Sequence, residues 1–326
     1  MFRKSIPTLL LTTLFLIAAS STQAQQGPPA GGGGGRGGGG AAGGQGGGGR
    51  GGAGGGRGGG APATTMIKPG LFMITGIGQG ATVVVRVTDD GLVLANTGPL
   101  GDANNTAMME QIKTISDKPI KYAVVGDVHQ DKSGGTGFLM KNGVQVIGHV
   151  NEKEGLKTYT NAAGTPEAPN VTFDKDYSIK LGNKEVAHVY YFGKASTNGD
   201  AFVYFPDLKV VTMGDVFQNG MNCDYAQGGS MIEWPKTLEA VMKLDIDTVI
   251  PNRGNPGTKA DLQPAHDRVA KIDAVAIDLV KKGTPKDMLL AQINAADATL
   301  MVNAFLNMNA QQRLDAFYEE VSKAAK

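Results

Sequence analysis

The sequence predicts an α/β (α+β) domain of paired mixed β-sheets with helices on the outside, preceded by a long low-complexity segment. Three observations carry this. From Met66 to "DTVIP" at residues 247–251 the chain runs as short β-branched and aromatic stretches punctuated by glycine, the pattern of strands. Helical spacing appears between some of them and takes over after Asp261. Strands and helices do not alternate strictly, which favours mixed sheets over one parallel sheet.

Each element has its own signal. "GLFMITG" and "ATVVVRVTDDGLVLANTG" read as strands, with Asp90 and Gly91 turning a hairpin. "TGIGQG" at 75–80 looks like a nucleotide-binding loop, but a β-branched run follows it where a phosphate site needs a helix. Met108, Ile112 and Ile115 share one face of a helix expected over 104–116, stopped by Pro119. The strand "IKYAVVG" delivers the chain into the turn "GDVHQDKSGG", followed by a short helix ending near Asn142 and the strand "VQVIGHV". Strands are then expected at "VTFD", "YSIKLG", "EVAHVYYFG", "AFVYFP" and "LKVVTMGD", with a helix over 235–244 and the strand "DTVIP". Val269, Ile272, Ala276 and Leu279 mark a long helix after Asp261, with further helices near 284–294 and 310–324.

The N-terminal part reads differently. Residues 1–24 combine Arg3 and Lys4 with an apolar run and end in small residues, the form of a secretory signal peptide, so export to the periplasm or outside the cell is expected. Residues 25–62 form a glycine-rich linker, and 27–62 hold 24 of the 49 glycines, too little apolar surface to offset ordering entropy. Disorder is therefore expected there. No later stretch approaches the roughly 20 apolar residues of a membrane span. Beyond residue 62 there are 26 basic against 30 acidic side chains, which argues against a nucleic-acid partner. Cys223 is the only cysteine, so an intramolecular disulfide and a polythiolate zinc site are both excluded, and a simply buried thiol is expected.

Five stretches in order carry a resemblance: "VLANTG", "GDVHQDKSGG", "FGKASTNGD", "VVTMGDVF" and "VIPNRGNPG", each at the end of an expected strand. The chain resembles the metallo-β-lactamase superfamily over roughly residues 66–258. That resemblance implies a four-layer αββα sandwich with its site at one edge of the two sheets, over a domain of 63–260 with a helical C-terminal extension, 261–326, packed on it. Active members carry HxHxDH in the turn, later a histidine, a bridging aspartate and a final histidine. Here those positions fall on Asp127, His129, Asp131 and Lys132, then on Ser196, Asp215 and Arg253, and the aspartate of the family's "DTG" falls on Asn96. His129, Asp131 and Asp215 match, and four histidine positions do not. The chain has four histidines, whereas the family's two-metal site takes five.

The replacements point in one direction. Lys132 and Arg253 put fixed cations where metal-ligating nitrogens would sit, pairing with the carboxylates that remain. The expected reading is a relative whose dinuclear site is largely lost, with no cofactor, non-catalytic or binding a small-molecule ligand in the old cleft. The alternative is a hydrolase of ester, lactone, thioester or amide bonds with one divalent ion, Zn, Mn or Fe, on Asp127, His129 and Asp215, and Asp131 as its catalytic residue. Asn96, His149 and Ser196 are expected to line the cleft. His188 is expected to be structural, His266 exposed near a helix start, and Trp234 a packing anchor before Pro235.

Overall fold

A computed structural model describes residues 61–78, 81–159, 164–218, 221–305 and 310–326. The expected signal peptide and most of the expected linker lie outside these residues. The chain runs β1 (Ala63–Lys68), β2 (Leu71–Ile77), β3 (Ala81–Val87), β4 (Leu92–Ala95), α1 (Asp102–Ile115) and β5 (Ile120–Val124). Two short helices follow, α2 (Gln130–Ser133) and α3 (Thr136–Lys141), then β6 (Gln145–His149), α4 (Val150–Gly155) and β7 (Val171–Phe173). The second half runs β8 (Asp176–Leu181), β9 (Lys184–Tyr190), β10 (Phe202–Phe205), β11 (Val210–Gly214), α5 (Trp234–Met242), β12 (Thr248–Pro251) and β13 (Gly257–Thr258). Helices α6 (Leu262–Lys281), α7 (Lys286–Ala296) and α8 (Ala310–Ala324) complete it.

The strands form two sheets, one in simple sequence order from β1 to β7 and the other in the order β13-β12-β11-β10-β9-β8. The first is antiparallel from β1 to β4 and parallel from β4 to β7. In the second, β11 and β12 are parallel and the other pairs antiparallel. Alternation within strands makes the layers, because successive side chains point to opposite faces. In β4, Val93 and Ala95 enter the cluster between the sheets, while Leu92 and Leu94 face the cluster that holds Met108 and Ile112 of α1 and Leu139 of α3. In β10, Val203 and Phe205 face the same inter-sheet cluster, and Phe202 and Tyr204 face the helices on the far side. The result is αββα.

Helices α6 to α8 belong to the outer layer of the second sheet, since Val269, Ile272, Ala276, Leu289, Ile293, Phe317 and Val321 share one buried cluster with Val211, Met213 and Val249. Trp234 is fully buried in it and its indole N–H donates to the Val216 carbonyl at 3.1 Å. Cys223 is a buried free thiol. His266 sits near the start of α6, as expected, but its ring is largely covered and not exposed, against Glu239 at 3.1 Å and Asp267 at 2.9 Å.

Candidate functional site

The site forms where strand ends of both sheets converge. Strand β5 leads through Val125 and Gly126 to Asp127 and His129, and α2 presents Asp131 and Lys132. From the second sheet, β11 leads directly into Asp215 and its parallel neighbour β12 into Asn252 and Arg253, held level by the Asn252 N–H donating to the Gly214 carbonyl at 3.0 Å.

Glycine shapes the turn. A Cβ at Gly134 would lie 2.0 Å from the Leu100 backbone nitrogen, and one at Gly135 would lie 2.0 Å from the Thr97 carbonyl oxygen. Only bare backbone allows α2 this close to the 97–100 segment. Thr97 then ties the two together, its N–H and Oγ1–H both donating to the Lys132 carbonyl, at 2.8 and 2.9 Å. Asn96 adopts the left-handed conformation at φ 67°, and its side-chain amide donates to the Thr82 carbonyl at 2.8 Å.

Lys132 is the centre of the site. Its Nζ, fully buried, lies 2.7 Å from Asp215 Oδ2, 3.2 Å from Asp127 Oδ2 and 3.2 Å from Asp131 Oδ1. Arg253 Nη2 donates to Asp131 Oδ2 at 2.6 Å, and its Nη1 lies 3.5 Å from Asp215 Oδ1. Asn252 donates from Nδ2 to Asp131 Oδ2 and Asp215 Oδ1, both at 3.0 Å, and its Oδ1 accepts the Thr82 N–H at 3.3 Å, linking the sheets. His129 Nδ1 is 2.9 Å from Asp127 Oδ1 and Nε2 is 3.0 Å from Asp224 Oδ2.

The electrostatics follow from this pairing. Burial alone would discharge the lysine, but three facing carboxylates raise its pKa well above the ordinary value. Burial opposes ionisation of Asp127 and Asp131 too, yet Lys132, aided by His129 at Asp127 and by Arg253 at Asp131, holds both below the usual carboxylate range. Burial alone would lower the pKa of the His129 ring, but the charge and hydrogen bond of Asp127, with the hydrogen bond to Asp224, lift it well above the ordinary value. Behind this network two buried acids resist ionisation. Burial and the Asp127 charge push Asp200 up to about 8 despite hydrogen bonds from Thr197, and they raise Glu152, whose carboxyl oxygens have no partner among the described residues.

Of the residues expected from sequence, the structure brings together Asp127, His129, Asp131, Lys132, Asp215 and Arg253, with Asn96 beneath the turn: a Cβ at Gly126 would lie 2.4 Å from its Oδ1. Ser196 is buried, donating to the Asn222 carbonyl at 2.9 Å, while its own carbonyl accepts the Asp224 N–H at 2.8 Å. It supports the segment that carries Asp224. His149 points elsewhere: its ring stacks on Tyr191 at 3.9 Å and its Nε2 contacts the Asp174 carbonyl at 2.6 Å. Asp224, Asn252, Asp200 and Glu152 were missed. Asn252 stood beside Arg253 in "PNRG", but Asp224 reaches His129 across 95 residues with no motif of its own.

Asp127, His129 and Asp215 each bring one donor atom to within 4.8 Å of the others, the separation a metal ion would need. Those atoms are already committed. A divalent ion takes carboxylate oxygens and imidazole nitrogens at about 2.0–2.2 Å, whereas the oxygens here surround an ammonium at 2.7–3.2 Å. Both ring nitrogens of His129 are likewise taken, by Asp127 and Asp224. As built, the residues do not fit a metal.

A family model described as the metallo-beta-lactamase superfamily matches residues 75–253, just over half of the chain and every strand from β3 to β12. Among solved structures, a metallo-beta-lactamase from Pontibacter korlensis is 21% identical with a TM-score of 0.56, covering 64% of this chain and 99% of that one. FIM-1 from Pseudomonas aeruginosa, solved in a mono-zinc form, is 19% identical with a TM-score of 0.55, covering 64% and 95%. The metallo-beta-lactamase DIM-1 is 15% identical with a TM-score of 0.56, covering 64% and 97%. The likeness to these structures lies in the fold, and the match over 75–253 makes the chain a member of the metallo-beta-lactamase superfamily.

Proposed function

We propose that this protein is an exported, non-catalytic member of its superfamily that works without a metal and binds a small-molecule ligand in the old cleft. One observation carries the reading: the Lys132 ammonium is buried among Asp127, Asp131 and Asp215, the place a metal would need. His129, the one histidine of the turn, supports it by having both ring nitrogens on carboxylates. Export rests on the sequence of residues 1–24 alone.

A second reading has its own observation, the convergence of donor atoms from Asp127, His129 and Asp215. On it the protein is a hydrolase with a single divalent ion, which must displace Lys132 from two of those residues. Purification without chelator, followed by elemental analysis and melting with and without EDTA, separates the two. The metal-free reading expects far less than one equivalent of Zn, Mn or Fe and an unchanged Tm. Stoichiometric metal, lost together with hydrolysis of ester, lactone, thioester or β-lactam substrates on chelation, refutes it.

A further inference from the structure

We propose that Lys132 is a tethered counter-cation seated in a carboxylate cage that remains competent to hold a hard divalent ion, so that removing its side chain converts the cage into a metal site. The proposal rests on the metal-free reading above and goes beyond it.

The division of labour within each carboxylate carries the argument. Asp127 turns Oδ2 to the lysine, while its Oδ1 accepts the His129 N–H at 2.8 Å and faces the ring Nδ1 at 2.9 Å. Asp131 turns Oδ1 inward, and its Oδ2 is held by Arg253 at 2.6 Å and Asn252 at 3.0 Å. Asp215 turns Oδ2 inward, with Oδ1 on Asn252 at 3.0 Å. Three inward oxygens are thus aimed at one point by partners other than the lysine. With Lys132 gone, those partners stay, and the oxygens remain pre-aimed.

Burial and charge agree with the geometry. Asp127 is 1% exposed and its inward Oδ2 accepts no hydrogen bond among the described residues, so Lys132 answers its charge without saturating it. The three carboxylates Asp127, Asp131 and Asp215 face the two fixed cations Lys132 and Arg253. Deleting the lysine leaves Arg253 alone against three carboxylates, and one divalent ion brings that group to neutrality. The inward donors are all oxygen, which suits Mn²⁺, Mg²⁺ or Ca²⁺, with water completing the shell. Contraction from ammonium to metal distances asks each oxygen to move by about 0.5–1 Å.

The test compares the full chain with Lys132→Ala and Lys132→Met, using Mn²⁺ as the probe. Binding is read by the loss of the free-ion paramagnetic resonance signal, and stability by Tm. Wild type is expected to take up no Mn²⁺. Lys132→Ala should melt lower, bind one equivalent, and gain about 5 °C or more at a hundredfold excess over Kd. Lys132→Met should melt lower without rescue, because its side chain still fills the space, and adding Asp215→Asn to Lys132→Ala should abolish uptake. If Lys132→Ala does not fold alone, refolding from denaturant must depend on Mn²⁺; equal yields with and without the ion overturn the proposal. Folded Lys132→Ala that takes up no Mn²⁺, or Lys132→Met rescued equally, also overturns it. One equivalent bound by wild type refutes the metal-free reading instead, so the two failures are distinguishable.

Discussion

At the scale of single residues, His129 behaves as half of an ion pair at each ring nitrogen, and this gives a signed expectation. Its pKa is raised by Asp127 and Asp224, so the stabilisation it supplies is complete below the unfolded value near 6.5 and is lost as pH rises through the folded pKa. Asp224→Asn should move the imidazole titration down, as followed by NMR of the ring protons, and shift the upper edge of the pH–stability profile with it. Asp273 on α6 has the opposite chemistry. Burial and the Glu320 charge push it up to about 9, and its Oδ1 has no partner among the described residues. The native state holds this proton more tightly than the unfolded chain, whose value is near 3.8, so stability falls as pH climbs between the two. Asp273→Asn should therefore stabilise by about 1–3 kcal/mol at pH 8 and by little at pH 4, as measured by urea melts. Sequence made Asp127, Asp131, Lys132, Asp215 and Arg253 legible because they occupy motif positions. Asp224 and Asp273 were illegible because their chemistry comes from burial and distant partners.

Among the elements, legibility followed periodicity and length. The strands from β2 to β12 alternate cleanly or run apolar, and each was readable. Helix α4 was missed because six residues, Val150–Gly155, are too few to display a helical period. The short helix expected before Asn142 is α3, while α2, four residues within the turn, is too short to display a period and ends at the close approach of Gly134 and Gly135. Gly134→Ala should push α2 off the 97–100 segment and lower stability by about 3 kcal/mol, with the Lys132 ion pairs loosened. Solvent exchange at the Thr97 amide, which donates to the Lys132 carbonyl, reads that loosening directly. The C-terminal helices carried no motif, yet Glu320 on α8 accepts from Tyr225 at 2.6 Å, and from Ser230, bracing the segment that presents Asp224. Phe317, fully buried on the same helix, should cost about 3–5 kcal/mol when cut to alanine, read as a drop in urea midpoint.

Over the whole molecule, the layers and the site answer different questions. The apolar clusters on the two outer faces and between the sheets account for an αββα sandwich whatever the charge pattern at its edge. At the edge two chain segments, the turn after β5 and the end of β11, one from each sheet, are joined through one ammonium. A bound metal is shared between protein and solvent by mass action, so dilution, acid or a stronger chelator strips it and the loops it joined come apart. Lys132 hangs on its own backbone and has no dissociation constant. Its place at the sheet edge is taken in a unimolecular step as the chain folds, at a rate that owes nothing to the metal content of the surroundings.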